Sequence, residues 1–228
     1  ADRAQIIQAE RFFELYSPEA VLTLLCKSLP QCYAAVNATK VLHTTQLLEE
    51  QLYRRIVETA QFVLDTMAPG GLDPNNSEGR GIRTAQKVRL LHASIRHIIS
   101  KREDPPWNAV EWGKPINQED LAGTLLSFSY LILDGLKRLG IDLTREEEEA
   151  YLHGWNVVGH IMGVDYELLT WNMEEAAALW QRLDERQFGA SESGRDLTKS
   201  LVQFMENTVP GTLFDGFPSA MIRHMIGG

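Results

Sequence analysis

Gly81-Ile82-Arg83-Thr84-Ala85-Gln86-Lys87-Val88-Arg89-Leu90-Leu91-His92-Ala93-Ser94-Ile95-Arg96-His97 is the stretch on which the reading of this chain turns. At about 100° per residue, Ala85, Val88, Leu91, Ile95, Ile98 and Ile99 fall on one apolar arc, the signature of a helix with one face in a core. His92 stands at the border of that arc. Arg89 and Arg96, three residues before it and four after, share its side of the helix. An imidazole flanked by two guanidinium groups at the edge of an apolar stripe suits one kind of ligand: apolar in body, with a metal for the imidazole and carboxylates for the arginines. Haem has that chemistry. On spacing alone, a satisfied boundary histidine with arginines paired to acids of neighbouring helices is the commoner arrangement.

Composition bounds the rest. A chain of 228 residues, 44% hydrophobic and 23% charged, can bury the core of a globular protein, read here as one domain over 1–228. The net charge of −9 argues against a nucleic-acid binder, which needs clustered Lys and Arg. Two cysteines, Cys26 and Cys32, make no disulfide framework and read as buried free thiols. No apolar run reaches the roughly 18 to 20 residues of a membrane span. The start at Ala1, without Met, leaves a removed leader open; a cytoplasmic location is favoured and a secreted one kept as the alternative.

Outward from the central stretch the pattern stays helical. A helix is expected over 2–15, and Ser17-Pro18 starts another that runs to Pro30. Residues 31–38 have no clear assignment, and 1–45 as a whole reads as a less regular N-terminal extension. Lys40 to Met67 is the longest periodic segment, with Leu48, Leu52, Ile56, Ala60, Phe62 and Val63 on its apolar arc and Glu50, Arg54, Gln61 and Asp65 opposite. Thr59 falls inside the arc and Arg55 at its edge: a polar pair aimed into an apolar pocket, or a back-bonded hydroxyl beside a snorkelling cation. Pro69 to Gly79 is a loop. Its glycines are followed by no Gly-Lys-Ser/Thr, so a phosphate loop is rejected.

Beyond Asp104-Pro105-Pro106, Asn117 caps a helix with Asp120 at its third position, whose body over 121–139 is almost uncharged up to Leu133 and ends at Gly140. Thr144 with Glu147 forms a capping box for a helix to Gly163, and Asn172 with Glu175 starts another. Glu149, His153, Asn156 and His160 line up at i, i+4, i+7 and i+11. They offer a competing metal site, though a solvated polar face explains them better without a His-Glu-x-x-His or Glu-x-x-His signature. The terminal apolar segment, Phe214 to Ile226, is core or a homodimer surface, with core preferred. No strand pattern emerges, so the expected fold is all-α with about nine or ten helices.

Two stretches carry a resemblance. Arg80 to Arg96 is similar to the central motif of the latex-clearing protein (rubber oxygenase) and MpaB-type oxygenase superfamily, and Trp112-Gly113-Lys114-Pro115-Ile116-Asn117-Gln118-Glu119-Asp120-Leu121-Ala122-Gly123-Thr124 resembles the segment that follows it. Tyr151, Trp155, Gly163-Val164, Pro218 and Arg223 are weaker echoes. The resemblance implies a globin-like helical core holding one b-type haem, with His92 as proximal iron ligand and Arg89 and Arg96 in the same cofactor-binding motif. An Arg-x-x-x-Thr pair that lines the haem pocket matches Arg55 and Thr59, the expected catalytic residues. The implied chemistry uses O₂ on an apolar, unsaturated, isoprenoid-like substrate. Where relatives can carry an iron-capping lysine, this chain has Glu58. The alternatives are a helical module that binds an apolar small molecule without catalysis and, more distantly, a metal-dependent hydrolase built on Glu149, His153 and His160.

Overall fold

The computed structural model describes residues 1–44, 52–208 and 216–227. Its first helix, α1 (Arg3–Thr23), is capped by Asp2, whose carboxylate accepts from the backbone N–H of Ala4 and Gln5. It kinks at Tyr16 (φ −111°, ψ 19°), one residue before the expected restart at Ser17-Pro18. The helix does not stop at Pro30, and residues 3–33 and 36–44 are helical. Leu24–Ser28 form a π-turn that feeds α2 (Leu29–Tyr33), followed by α3 (Val36–Thr44). Pro30 is tolerated because it sits in the first turn of α2, where its missing N–H has no intrahelical partner to lose.

The helices α4 (Leu52–Met67), α5 (Gly81–Lys101) and the short α6 (Ala109–Trp112) follow. Of the helix expected over 40–67, α3 and α4 carry 40–44 and 52–67, while Leu48, Glu50 and the rest of 45–51 lie outside the described residues. The helix expected over 121–139 also divides, into α7 (Gln118–Phe128) and α8 (Tyr130–Arg138), at Ser129 (φ −109°, ψ −81°). The hydroxyls of Ser127 and Ser129 donate to the carbonyls of Gly123 and Leu125 one turn back, a bond that competes with the helix ladder and bends it. Then come α9 (Arg145–Met162), α10 (Met173–Gln187), α11 (Glu192–Thr208) and α12 (Phe217–Ile226). Ten of these helices run nine residues or longer, and the described residues contain no strand. The fold is all-α.

The core forms where α1 lies along α9. Phe12 meets Tyr151 at 4.9 Å, and Phe128 stacks on Trp155 at 5.1 Å between centroids. A second cluster joins Tyr33, Ile56, Leu197 and Leu201, tying α2 and α11 to α4. The buried Lys27 pairs with Asp134 at 3.0 Å and donates to the carbonyl of Met225 at 3.0 Å, anchoring α12 against the π-turn. Of the terminal apolar segment, Pro218 and Met225 are in the core and Phe217 is exposed; Phe214 lies outside the described residues.

Close approach of α1 and α9 rests on Gly154. A Cβ there would stand 2.9 Å from Cβ of Ala9, an atom fixed to its own backbone and unable to swing away. Gly154→Leu should therefore destabilise the fold by about 2–3 kcal/mol, read as a lower urea midpoint.

At the start of α7 the capping box is complete: Asn117 N–H donates to Asp120 at 3.0 Å and Asp120 N–H to Asn117 at 3.1 Å. Burial nonetheless raises the Asp120 carboxyl from 3.8 to about 6, against the lowering effect of the Asn117 N–H. The folded chain holds this proton more tightly than the unfolded one. The carboxyl's contribution is therefore fully present below pH 3.8 and lost as pH rises through about 6. Between pH 4 and 7, Asp120→Asn should gain up to about 3 kcal/mol on the parent in urea melts. A difference that stays flat with pH contradicts it.

Candidate functional site

The site is built where α4 and α5 leave their connecting loop. Thr84 Oγ1 donates to Asp65 at 2.8 Å, and a Cβ on Gly81 would meet the carbonyls of Gly71 and Asp65 at 2.7 and 2.8 Å, so only glycine lets the helices meet there. From that junction, at about 1.5 Å of rise per residue, Thr59 stands about 9 Å up α4, Arg55 about 15 Å, and His92 about 12 Å along α5. By that count the three positions fall within about 6 Å of one another in height along the two helices.

Their helix faces agree. On α4 Arg55, Ile56, Thr59, Val63 and Met67 form the inward stripe. On α5 the inward line runs Gly81, Ala85, Val88, His92, Ile95, Arg96 and Ile99. This corrects the apolar arc: Leu91 and Ile98 are 55% and 64% exposed, and His92 lies mid-face rather than at the border. An arc drawn from apolar residues alone is pulled towards Leu91 and Ile98, whereas the partners of α5 are α4 and α9, which lie over the other line.

His92 is a neutral base. Burial, reinforced by the Arg96 charge, lowers it from 6.5 to about 4, and its Nδ1 is buried with no hydrogen-bond partner. Nη1 of Arg55 is likewise buried and unpartnered. A buried polar atom without a partner costs about 1–3 kcal/mol, more when charged, and these two lie on the neighbouring helices α4 and α5. Arg89 Nη1 donates to the carbonyl of Ile161 at 2.9 Å, at the C-terminus of α9, and Arg96 Nη1 to the carbonyl of Ile116 at 3.3 Å. Neither arginine pairs with a carboxylate among the described residues. Each fork keeps further N–H donors. Glu58, one residue before Thr59, faces solvent in an ion pair with Arg54 at 2.7 Å.

Tyr33 belongs to this site and escaped the sequence reading. It comes from α2, in the stretch 31–38 that carries no periodic signal. Burial raises its phenol to about 12, with the Arg55 charge pulling the other way. It also lines a groove of about 590 Å³ between α2 and α11, where Pro30, Ala34 and Val202 stand beside Arg195, Lys199 and Glu206.

Three of the four residues in the competing stripe on α9 are held by other contacts. Glu149 pairs with Arg145 at 2.7 Å, Nε2 of His153 accepts from the N–H of Asp2 at 3.0 Å, and Asn156 donates to the carbonyl of Thr170 at 2.8 Å. It is not a solvated face, since Asn156 is 5% exposed and only His160 of the four lies open. No group of three His, Cys, Asp or Glu side chains suited to a metal occurs among the described residues. Cys26 and Cys32 are free, and Cys32 Sγ lies 2.8 Å from Ser127 Oγ.

The fold is an all-α core that carries a neutral imidazole on α5 and, on α4, an arginine whose Nη1 is buried without a partner. Residues 10–227 match the family described as ER-bound oxygenase mpaB/B'/rubber oxygenase, catalytic domain, and the chain belongs to it. Among its relatives is the rubber oxygenase of Streptomyces sp. (strain K30), 30% identical over 176 residues, which make up 76% of this chain and 42% of that protein. The structure of a latex-clearing protein in its closed state superposes with a TM-score of 0.85 at 23% identity, covering all of this chain and 60% of that one. The chain thus spans less than half the length of its curated relative.

Proposed function

We propose that this chain is a b-type haem-dependent oxygenase acting on an apolar, unsaturated, isoprenoid-like substrate with O₂. The observation that carries the reading is the unpartnered, buried Nδ1 of a neutral His92, with Nη1 of Arg55 on the neighbouring helix likewise buried and unpartnered. A haem asks for a neutral imidazole, cations for its carboxylates and apolar walls, and the residues present fit each requirement. His92 would hold the iron, Arg89 and Arg96 would offer their remaining donors to carboxylates, and Ile56, Val88 and Ile95 would supply apolar wall. When bound, that group supplies the one-electron chemistry that lets ground-state O₂ react with a closed-shell alkene.

The chain's own part is positioning and electrostatics. His92 stays unprotonated throughout the neutral range, because burial and the Arg96 charge both disfavour its cation. Arg55 and Thr59 present N–H and O–H donors to the pocket, where they stabilise negative charge as it develops on oxygen. Tyr33 stays a neutral phenol at any physiological pH and serves there as a donor. The low-dielectric wall around them excludes water and strengthens each of these interactions.

Incubation with polyisoprene latex under ¹⁸O₂ tests the assignment. Chains ending in labelled carbonyl groups are expected. Haem-loaded protein that leaves the polymer intact and consumes no O₂ would favour the second reading, an apolar-ligand module without catalysis. The surface position of Glu58, where relatives can carry a lysine, favours that reading over the hydrolase.

A further inference from the structure

We propose that the outward face of α5 docks the protein on an anionic phospholipid surface. Lys87, Leu90, Leu91, Ile98 and Lys101 lie within about 100° of one another on the helix wheel. This arc is opposite the His92 line, so it is separate from the site described above. Leu90, Leu91 and Ile98 are 68%, 55% and 64% exposed, three large apolar side chains on one solvent-facing strip. Scattered exposed leucines are ordinary; a line of them down one helix face calls for a partner.

Charge identifies the partner. α5 carries Arg83, Lys87, Arg89, Arg96 and Lys101 and no Asp or Glu, in a chain whose net charge is −9. Arg83, Arg89 and Arg96 spend donors on backbone carbonyls of their own surroundings. Lys87 and Lys101 have no ion-pair partner among the described residues and are exposed. They bracket the apolar trio at its two ends, about 21 Å apart along the helix axis. Apolar side chains that enter the headgroup boundary, with lysines at either end reaching lipid phosphates, are what holds a helix in the plane of an anionic bilayer. A protein partner would need a matching groove with acidic ends; a lipid surface needs only this strip. No helix of the described residues is long and apolar enough to cross a membrane, so the contact is peripheral. The proposal is independent of what the α4–α5 site binds.

Vesicle flotation of the purified chain tests it, comparing pure phosphatidylcholine with phosphatidylcholine containing about one-third phosphatidylserine. The chain should float with the anionic vesicles and stay behind with the neutral ones, and about 0.5 M salt should release it. At about 1 kcal/mol per lysine near such a surface, Lys87→Gln with Lys101→Gln should weaken partitioning about 30-fold. Leu91→Ser with Ile98→Ser should abolish it at an unchanged melting temperature, since both side chains are already solvated. Three outcomes overturn the proposal: equal flotation with both vesicle types, flotation that none of the substitutions alters, and self-association in solution that Ile98→Ser removes. The last would assign the face to a second copy of the chain.

Discussion

His92→Ala, purified from haem-supplemented cells, should retain less than about a tenth of the parent's haem, measured as pyridine haemochrome per protein. The imidazole is the one neutral nitrogen base on the inward line of α5, and its Nδ1 has no competing partner to satisfy. The variant should stay folded. The buried imidazole contributes to stability only when uncharged, because its folded value of about 4 lies below the unfolded 6.5. That contribution is present above pH 6.5 and lost as pH falls through about 4. The haem-free parent should therefore lose up to about 3 kcal/mol relative to His92→Ala over that interval, in urea melts at a series of pH values. A variant that keeps full haem removes the ligand assignment, whatever its stability.

Arg55→Ala and Thr59→Ala should keep the haem spectrum and lose about 100-fold in turnover each, the usual cost of deleting one donor aimed at developing charge. Arg55→Ala should also cost little stability, because it removes a buried guanidinium nitrogen that has no partner. Thr59→Ser keeps the hydroxyl and should recover most of the rate. Steady-state O₂ uptake beside the absorption spectrum separates the two effects. Equal loss of haem and rate in Thr59→Ala would make Thr59 a packing residue of α4, and full activity in Arg55→Ala would remove the donor role.

Helix starts were legible because they are written locally. Thr144 with Glu147, Asn117 with Asp120, and Asn172 with Glu175 all form the side-chain-to-backbone bonds their spacing implied. Helix continuity was not, because it depends on what packs alongside. Pro30 reads as a stop yet rides in the first turn of α2, and Ser129 reads as helix interior yet breaks it. The inward aspect of Arg55 and Thr59 was visible as a polar interruption of an apolar arc. The facing of His92 was not read correctly from the sequence, since Leu91 and Ile98 drew the arc outwards. Tyr33 gave no signal, because its place beside Arg55 comes from the docking of α2 on α4, a contact between elements far apart in sequence.

The central claim is that a neutral His92 binds haem iron, and the visible spectrum of the purified chain before and after dithionite tests it most directly. A Soret band that moves to longer wavelength on reduction, and is absent from His92→Ala, is the predicted result. A featureless visible spectrum that added haem cannot change would contradict the account and leave the α4–α5 site to an apolar ligand without iron.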